Sequence, residues 1–194
     1  MPDLYIIAGC NGAGKTTASY TVLPEILHCK EFVNADNIAA GISPFNPDKA
    51  AIDAGRIMLD RIRDLMNQKE SFAFETTLAS KSFVSLIKQA KNQGFKVTLI
   101  YFWLDSVETA KWRVKERVKN GGHDIPSETI IRRYKRGIVN FFILYKSICD
   151  YWLFVDNSLN DLQILAEGEK AVVKGIKNPD IWDIILKQAN AFKA

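Results

Sequence analysis

Short apolar runs alternate along the chain with longer segments in which apolar residues recur every three or four positions. The apolar runs predict five β-strands, at residues 4–8, 32–34, 72–74, 96–104 and 152–155. The run at 96–104 is the longest, which is typical of a central strand that is buried on both faces. Strands that alternate with helices in this way indicate an α/β fold with a mainly parallel, five-stranded sheet.

The segments between these strands predict helices, and the end of the chain follows a different pattern. Helical spacing is found at residues 15–27, within 47–67, at 81–92 and 107–119, and from 127 to about 149. Residues 162–167 and 171–176 flank Gly168 and predict a β-hairpin. A final helix is expected to begin near Pro179, because proline is tolerated at the first helical position. The chain is predicted to be a single domain over residues 1–194, with the hairpin and last helix at about 160–194.

The composition narrows the class of protein. With 47% hydrophobic and 25% charged residues the chain is expected to be globular, and its net charge of +4 suits an anionic substrate. The three cysteines are too few for a disulfide framework and lie at no zinc-ligand spacing from the two histidines. No segment approaches the ~20 apolar residues of a membrane helix, and the N-terminus lacks the basic start of a signal peptide. A cytoplasmic protein without a membrane partner is therefore expected.

The most specific motif lies between the first predicted strand and the first predicted helix. It fits G-x-x-x-x-G-K-[ST], in which glycines turn backbone N–H groups, and the positive end of a helix, toward phosphate oxygens. Lys15 is expected to reach the β- and γ-phosphates, Thr16 to hold Mg²⁺, and Thr17 to touch the α-phosphate. ATP and Mg²⁺ are therefore the predicted cofactors. The predicted ATP-binding residues are Gly9, Cys10, Asn11, Gly12, Ala13, Gly14, Lys15, Thr16, Thr17 and, after the fifth strand, Asn157.

Acidic and hydroxyl side chains follow other predicted strands, whose carboxyl ends meet at the edge of the sheet where ligands bind. Asp36 is the candidate general base, because a kinase must take the proton of its acceptor hydroxyl. Alternatively, Asp36 belongs to a helix N-cap or an Asx-turn over residues 34–37. Glu75, Thr76 and Thr77 are candidates for binding acceptor hydroxyls or the metal, and the alternative is that they cap the following helix.

Two further residues have open interpretations. Asp105 ends the fourth strand as a Walker B aspartate does, but it could instead cap the helix that begins near Val107. The cap is favoured, because no second acid is adjacent to Asp105. Cys10 stands at a helix N-terminus, where the pKa of a thiol can fall, which predicts modest sensitivity to thiol reagents. An unreactive side chain that fills space is the other interpretation of Cys10, and it is the favoured one.

Arginines cluster on two predicted helices that are joined by the turn Gly121-Gly122-His123. Arginine holds phosphate oxygens through its planar fork and stays charged. Residues 106–137 are therefore predicted to form a lid that closes over phosphates and excludes water, with His123 either gating it or incidental. The alternative is a solvated helix face with salt bridges to Glu116 and Glu128. The clustered residues are Arg113, Arg117, Arg132, Arg133 and Arg136.

Taken in order, these residues resemble the zeta-toxin family of P-loop kinases. The phosphate loop alone is shared by many families, whereas the ordered set is much more specific and resembles the shorter branch of this family. Cys10 departs from the proline often found at its position. The matching stretches are residues 8–17, Val33-Asn34-Ala35-Asp36, Phe74-Glu75-Thr76-Thr77-Leu78, residues 113–118 and 121–126, Ile131-Arg132-Arg133-Tyr134 and Asp156-Asn157-Ser158.

The resemblance implies a three-layer α/β kinase fold with a lid, and a role for each matching residue. Better-known family members phosphorylate the sugar of UDP-N-acetylglucosamine or related UDP-sugars, and an antitoxin commonly covers their nucleotide site. Lys15, Asp36, Arg117 and Arg133 are the implied catalytic residues, with Asp36 as base, the two arginines on the transferred phosphate and Thr16 as metal ligand. The candidates for acceptor binding are Asp36, Glu75, Thr76, Thr77, Arg113 and Arg132.

The leading hypothesis is an ATP-dependent small-molecule kinase of zeta-toxin type, with a UDP-sugar-like acceptor and a small antitoxin protein as partners. A nucleoside or polynucleotide kinase shares the same phosphate chemistry and is an alternative. A nucleotide-switch ATPase is the other, and it rests on Asp105 alone. Nucleic-acid binding is not expected, because the basic stretch at residues 111–119 contains no aromatic residue to stack on bases except Trp112.

Overall fold

One sheet of seven strands, in the order β2-β3-β1-β4-β5-β6-β7, forms the centre of the molecule. The computed structural model describes residues 1–122, 124–159 and 161–193, so His123 lies outside the described residues. Strands β1 to β5 are parallel, and β6 and β7 are antiparallel to their neighbours. The strands are β1 (Asp3–Gly9), β2 (Glu31–Val33), β3 (Phe72–Thr76), β4 (Lys96–Trp103), β5 (Tyr151–Asp156), β6 (Gln163–Glu169) and β7 (Val172–Ile176).

The C-terminal hairpin belongs to this same sheet, so the prediction of a five-stranded sheet is wrong in its strand number. β6 pairs with β5 from Trp152 opposite Gly168 to Asp156 opposite Gln163. Gly168 lies inside β6 rather than in the turn, and glycine is required there because a Cβ would collide with the Trp152 ring. The hairpin covers the edge of β5, whose backbone N–H and C=O groups would otherwise lack strand partners.

The described residues form seven α-helices that connect or cover the strands, and all but one of these helices were predicted. The exception is α2, and a helix there was implied only by the N-cap alternative for Asp36. Two predicted helices, at 15–27 and 127–149, are shorter as α-helices and continue as π-helical turns at Val22–Ile26 and Phe141–Tyr145. No helix among the described residues is both long and apolar enough to cross a membrane. The helices are α1 (Lys15–Thr21), α2 (Ala35–Ile42), α3 (Ala51–Gln68), α4 (Phe83–Asn92), α5 (Val107–Lys119), α6 (Ser127–Asn140) and α7 (Pro179–Ala191).

The core occupies both faces of the parallel strands. Consecutive residues of β1 and β4 are buried, which requires helices on both sides of the sheet, as in a three-layer α/β fold. An aromatic cluster extends the core to the C-terminus: Phe154 lies 4.9 Å from Tyr101 and from Phe141, and the rings of Trp152 and Trp182 are parallel at 6.1 Å. The last helix and the hairpin therefore share one core with the parallel strands.

Helix α6 and its π-helical turn hold the loop that follows β3. Leu78 is fully buried with a φ of 53°, a conformation that costs a branched side chain energy. Its carbonyl accepts a 2.6 Å hydrogen bond from Asn140 Nδ2, and the carbonyl of Ser80 accepts one of 2.6 Å from the Tyr145 hydroxyl. Gly137 lets the helix approach, because its missing Cβ would lie 2.7 Å from the Thr77 carbonyl oxygen.

All three cysteines are buried and free. Cys10 is only 2% exposed, although it belongs to the phosphate loop. Burial raises the pKa of the Cys10 thiol to about 11, and the positive charges of Lys15 and Arg113 offset only part of this effect. The structure therefore supports the favoured interpretation of Cys10 as an unreactive side chain, and not the hypothesis of sensitivity to thiol reagents.

Replacing Gly137 with alanine tests how closely α6 approaches β3. The new methyl group would also lie 2.8 Å from the Tyr101 hydroxyl, so we expect the free energy of unfolding to fall by about 1–3 kcal/mol. Gly55→Ala is the matched control, because this α3 glycine has no atom within 4 Å of the added Cβ and should gain about 0.5–1 kcal/mol from helix propensity. Urea unfolding, monitored by circular dichroism, measures the free energy of unfolding of both variants. Equal effects at the two positions would contradict the close approach.

Alkylation tests the state of Cys10. At pH 8 a thiol whose pKa is about 11 is roughly 100-fold less ionised than an ordinary one, and this thiol is also covered. We therefore expect iodoacetamide to label Cys10 at least about 100-fold more slowly in the folded protein than in urea. Peptide mass mapping over time gives the two rates. Rapid labelling without denaturant would mean that the loop exposes Cys10 in solution.

Candidate active site

The phosphate loop connects β1 to α1 and is supported on two sides. Gly12 and Gly14 have φ values of 79° and 77°, which glycine adopts without strain. Gly12 packs on α5, since a Cβ there would lie 2.8 Å from the carbonyl oxygen of Ala110. On the other side, Asn157 Nδ2 donates a 2.8 Å hydrogen bond to the carbonyl of Ala13. Asn157 therefore supports the loop, and its role in binding ATP stays a prediction.

Glu75 lies against the two loop residues expected to act on phosphate and metal. Lys15 Nζ is 3.4 Å from Glu75 Oε1 and also donates to the carbonyl of Cys10 at 2.9 Å. The hydroxyl of Thr16 donates to Glu75 Oε2 at 2.7 Å. Glu75 reaches these side chains because β3 pairs directly with β1, with Ile7 opposite Glu75. Glu75 was predicted to bind either an acceptor hydroxyl or the metal, and its position beside Thr16 favours the metal.

The residues present fit a bound Mg²⁺–ATP. The Thr16 hydroxyl donates a hydrogen bond to Glu75, and the amide of Asn34 makes only a long contact with its oxygen, so a lone pair stays available to a cation. Hydroxyl and carboxylate oxygens are ligands that Mg²⁺ prefers. The buried Lys15 ammonium lies at the N-terminus of α1, where the helix dipole also favours phosphate. Thr16 and Glu75 would hold the metal, directly or through water, and Lys15 the phosphates.

Two cavities meet at the loop. The smaller, about 310 Å³, is lined by the loop with Thr17, Arg113 and Arg117, and we call it the nucleotide cavity. The larger, about 680 Å³, extends between α3 and α4, and we call it the acceptor cavity. Four residues line both of them: Asn11, Lys15, Asp36 and Glu75. A phosphoryl group in the nucleotide cavity and a hydroxyl in the acceptor cavity would therefore meet at these four side chains.

Asp36 lies in the first turn of α2 and is exposed to both cavities. The cap at this helix is Asn34, whose Oδ1 accepts from the backbone N–H groups of Asp36 and Asn37 at 2.8 and 3.3 Å. The alternative of a helix N-cap or Asx-turn over residues 34–37 is therefore also present, with Asn34 as the capping residue, and it leaves the carboxylate of Asp36 free of the cap. That carboxylate stands at the junction of the cavities, which fits the prediction of a general base.

Arg133 of α6 reaches the loop from the opposite side. Its Nη1 donates to Asn11 Oδ1 at 3.1 Å, and its side chain lines the acceptor cavity. Burial lowers the pKa of the Arg133 guanidinium, while the negative charge of Asp36 acts in the opposite direction. Arg133 and Asp36 are therefore close enough to interact electrostatically at the junction of the two cavities.

The other arginines are divided between the cavity and solvent. Arg113 and Arg117 line the nucleotide cavity, and Arg113 Nη2 also donates to the carbonyl of Ser158 at 3.1 Å. Arg132 and Arg136 are exposed, and the described residues that line the two cavities include neither of them. Arg113, predicted for the acceptor, thus lies on the nucleotide side. Arg132 is not brought to the site in this arrangement.

The remaining candidates have clear positions. Thr76 and Thr77 line the acceptor cavity, and their hydroxyls accept from the backbone N–H groups of Leu78 and Ala79 at 3.1 and 3.5 Å. They do not cap α4, which begins at Phe83. Asp105 is exposed and is absent from the described residues that line either cavity, so its Walker B interpretation has no geometric support. Ser106, not Asp105, caps α5.

Three residues without a predicted role in the site lie at it: Asn34, Arg56 and Arg63. Asn34 connects Asp36 with Glu75 and Thr16, and Arg56 and Arg63 of α3 line the acceptor cavity. Asparagine before a helix is a common cap, which could have drawn attention to Asn34. The seven-residue spacing of Arg56 and Arg63 places both on one helix face, but only packing shows that a cavity lies beside it.

Comparison with known proteins identifies the family. The family model described as zeta toxin matches residues 1–144. A protein of Haemophilus influenzae described as uncharacterized is 36% identical over 126 residues, which cover 65% of this chain and 88% of that protein. The family match spans the phosphate loop, Asp36, Glu75 and the clustered arginines.

Solved structures show the same fold. One is a chain of the AvrRxo1-ORF1:AvrRxo1-ORF2 complex with sulphate ions, with a TM-score of 0.74 at 17% sequence identity. The match covers 95% of the present protein but only 63% of the length of that chain. Another is a chain of the PezAT chromosomal toxin–antitoxin system of Streptococcus pneumoniae, with a TM-score of 0.66 at 13% sequence identity. That match covers 100% of the present protein and 88% of the PezAT chain. On the evidence of the family match over residues 1–144, this chain belongs to the zeta toxin family.

Proposed function

We propose that this protein transfers the γ-phosphoryl group of ATP to a hydroxyl of a UDP-sugar such as UDP-N-acetylglucosamine. The observation that carries the proposal is the junction of two cavities at Lys15, Asp36 and Glu75. A mechanical ATPase needs only a nucleotide site, whereas a kinase needs a second cavity that opens onto the transferred group. The family assignment supports the same chemistry.

The side chains at the junction suit an in-line transfer. The acceptor oxygen attacks the γ-phosphorus, the bond to the β–γ bridging oxygen breaks to leave ADP, and Asp36 takes the acceptor proton. Lys15 holds the phosphate oxygens, and Arg117 and Arg133 stabilise the charge that develops on the transferred group. Bound Mg²⁺ supplies further positive charge at the phosphates. The positioning of Asp36 and of the loop is what this chain itself contributes.

The walls of the acceptor cavity support a large anionic acceptor. Apolar side chains of α3 and α4, among them Leu59, Phe83 and Leu86, suit a planar or apolar moiety. Arg56 and Arg63 lie on α3 about 10 Å apart along the helix axis. Each lies beside an aspartate three residues before it, in an exposed ion pair that an anionic ligand could replace. A UDP-sugar offers a base for the apolar wall and a diphosphate for the arginines.

A small antitoxin protein is proposed as the partner that restrains this activity. The PezAT neighbour comes from a toxin–antitoxin system, and its chain covers the whole length of this protein. An antitoxin that covered the nucleotide cavity would keep ATP from Lys15 and Thr16. The antitoxin is a separate proposal, since kinase activity is measurable on the purified chain alone.

A phosphate-transfer screen tests the function. Purified protein with ATP and Mg²⁺ is mixed with a panel of UDP-sugars and nucleosides, and mass spectrometry is expected to find one phosphoryl group added to a UDP-sugar. Asp36→Ala should lower transfer by about 100-fold or more while ATP still binds, because only the base is lost. Lys15→Ala should lower both the rate of phosphoryl transfer and the affinity for ATP.

Asp64→Ala is the control for Asp36→Ala, because Asp64 is an exposed aspartate of α3 that is not among the described residues lining either cavity. Transfer at the wild-type rate by Asp36→Ala would remove Asp36 as base. Phosphorylation of nucleosides but of no UDP-sugar would favour the nucleoside-kinase alternative.

The arginines of α3 give a second test, which concerns the acceptor. Arg56→Gln and Arg63→Gln should each raise the KM for the acceptor by about 10-fold, equivalent to ~1.4 kcal/mol, and leave the KM for ATP unchanged. Arg61→Gln is the matched control. Arg61 lies on the same helix, but it forms an ion pair with Glu31 and is not among the described residues that line the acceptor cavity. Steady-state kinetics with the acceptor found in the screen gives the values. An unchanged acceptor KM in both variants would exclude binding of the acceptor's anionic group by α3.

A further inference from the structure

Asn34 is one of the few polar side chains that are buried, with 4% exposure, and it follows directly on β2. Its amide oxygen accepts from the backbone N–H groups of Asp36 and Asn37, at 2.8 and 3.3 Å. Its amide nitrogen donates to Glu75 Oε2 at 2.9 Å and makes a longer contact, 3.4 Å, with the hydroxyl of Thr16. Both donors and both acceptor positions of this amide are therefore in use.

The oxygen end of Asn34 is an ordinary helix cap. It satisfies two N–H groups at the start of α2 and thereby fixes the first turn, which carries Asp36. Serine, threonine or aspartate could replace asparagine in this role, because each offers a side-chain oxygen that can accept from the N–H groups of the first helical turn. Capping alone therefore does not explain why the side chain is an amide.

The nitrogen end has a different purpose. Glu75 Oε2 receives both the Asn34 amide and the Thr16 hydroxyl, and Glu75 Oε1 faces Lys15. The Asn34 donor therefore fixes the rotamer of a carboxylate that touches the two loop residues assigned to phosphate and metal. A hydroxyl at position 34 that served as a cap would be too short to reach Glu75 as well. Among the good capping residues only asparagine carries both an acceptor and a donor at this reach.

We propose that Asn34 is a positioning residue that couples the helix bearing Asp36 to Glu75 and Thr16, so that base and metal-side carboxylate keep one relative geometry. The proposal rests on the function proposed above. Asn34 touches no reacting atom and acts only through its neighbours. Asn34 directly follows β2, and its amide contacts three other elements at the site: the end of β3, the start of α1 and the first turn of α2.

Substitutions separate the two ends of this amide. Asn34→Ser keeps a capping oxygen and removes the donor to Glu75, and Asn34→Ala removes both. Asn178 provides the matched control, because it caps α7 in the same way, accepting from Ile181 N at 3.1 Å, and lies outside the site. The pair Asn178→Ser and Asn178→Ala therefore shows what loss of a cap alone does.

Three measurements follow, all made well below the unfolding transitions. The first is binding of N-methylanthraniloyl-ATP as a function of Mg²⁺ concentration, which requires no acceptor. The second is thermal unfolding without nucleotide. The third is kcat, with the KM for acceptor and for ATP, once an acceptor is found.

We expect Asn34→Ser to raise the half-saturating Mg²⁺ concentration at least 5-fold and to lower kcat at least 10-fold, with nucleotide binding in the absence of Mg²⁺ within 2-fold of wild type. Asn34→Ala should show the same changes and, in addition, the loss of thermal stability that Asn178→Ala shows relative to Asn178→Ser. Neither Asn178 variant should alter Mg²⁺ dependence or kcat.

The proposal is overturned if Asn34→Ser has the wild-type Mg²⁺ dependence, since Asn34 would then be a cap and nothing more. It is also overturned if Asn34→Ser weakens nucleotide binding equally with and without Mg²⁺, because the loop as a whole would then be disturbed. If the wild-type protein phosphorylates no acceptor, the proposed function fails. The Mg²⁺-dependent binding still decides the role of Asn34.

Discussion

The carboxylate of Glu75 is the group around which the other side chains of the site are arranged. β3 lies between β2 and β1 in the sheet, so its carboxyl end is flanked by the segments that follow both neighbours. A carboxylate can accept about four hydrogen bonds, and Glu75 uses this capacity toward Thr16, Asn34 and Lys15. A single side chain therefore relates the phosphate loop to the helix that carries Asp36.

Burial makes this arrangement demanding. Lys15 and Glu75 are 6% and 11% exposed, and a buried ion pair recovers its desolvation cost only when its remaining donors and acceptors are satisfied. The carbonyl of Cys10 and the donors of Asn34 and Thr16 meet that condition. The Lys15–Glu75 distance, 3.4 Å, is longer than the 2.9 Å from Lys15 to the Cys10 carbonyl. Lys15 is therefore held through a backbone carbonyl as well as through Glu75, so that it keeps a partner when a phosphate approaches it.

The parts of the fold and site that depend on local pattern were predictable, and those that depend on packing were not. Apolar runs and the G-x-x-x-x-G-K-T motif located the parallel strands and the phosphate loop. Helix α2 was not predicted as an element, because eight residues that include Gly41 give little periodicity. Local pattern predicted the hairpin but not its pairing with β5. The sheet order explains why the Walker B alternative for Asp105 has no support: only the fold shows that β3 as well as β4 pairs with β1, so that Glu75 is the acid beside Thr16.

The hydrogen bonds that fix α6 to the loop after β3 also limit how the molecule can move. Asn140 and Tyr145 attach the end of α6 and its π-helical turn to Leu78 and Ser80. The hydroxyl of the buried Tyr134 donates to the carbonyl of Leu104 at 2.8 Å, which fixes the middle of the helix as well. A motion of α5 and α6 that leaves these bonds intact must therefore pivot before Tyr134. Such a pivot would move Arg113 and Arg117 of α5 while Thr76 and Thr77, beside the fixed loop, kept their place in the wall of the acceptor cavity.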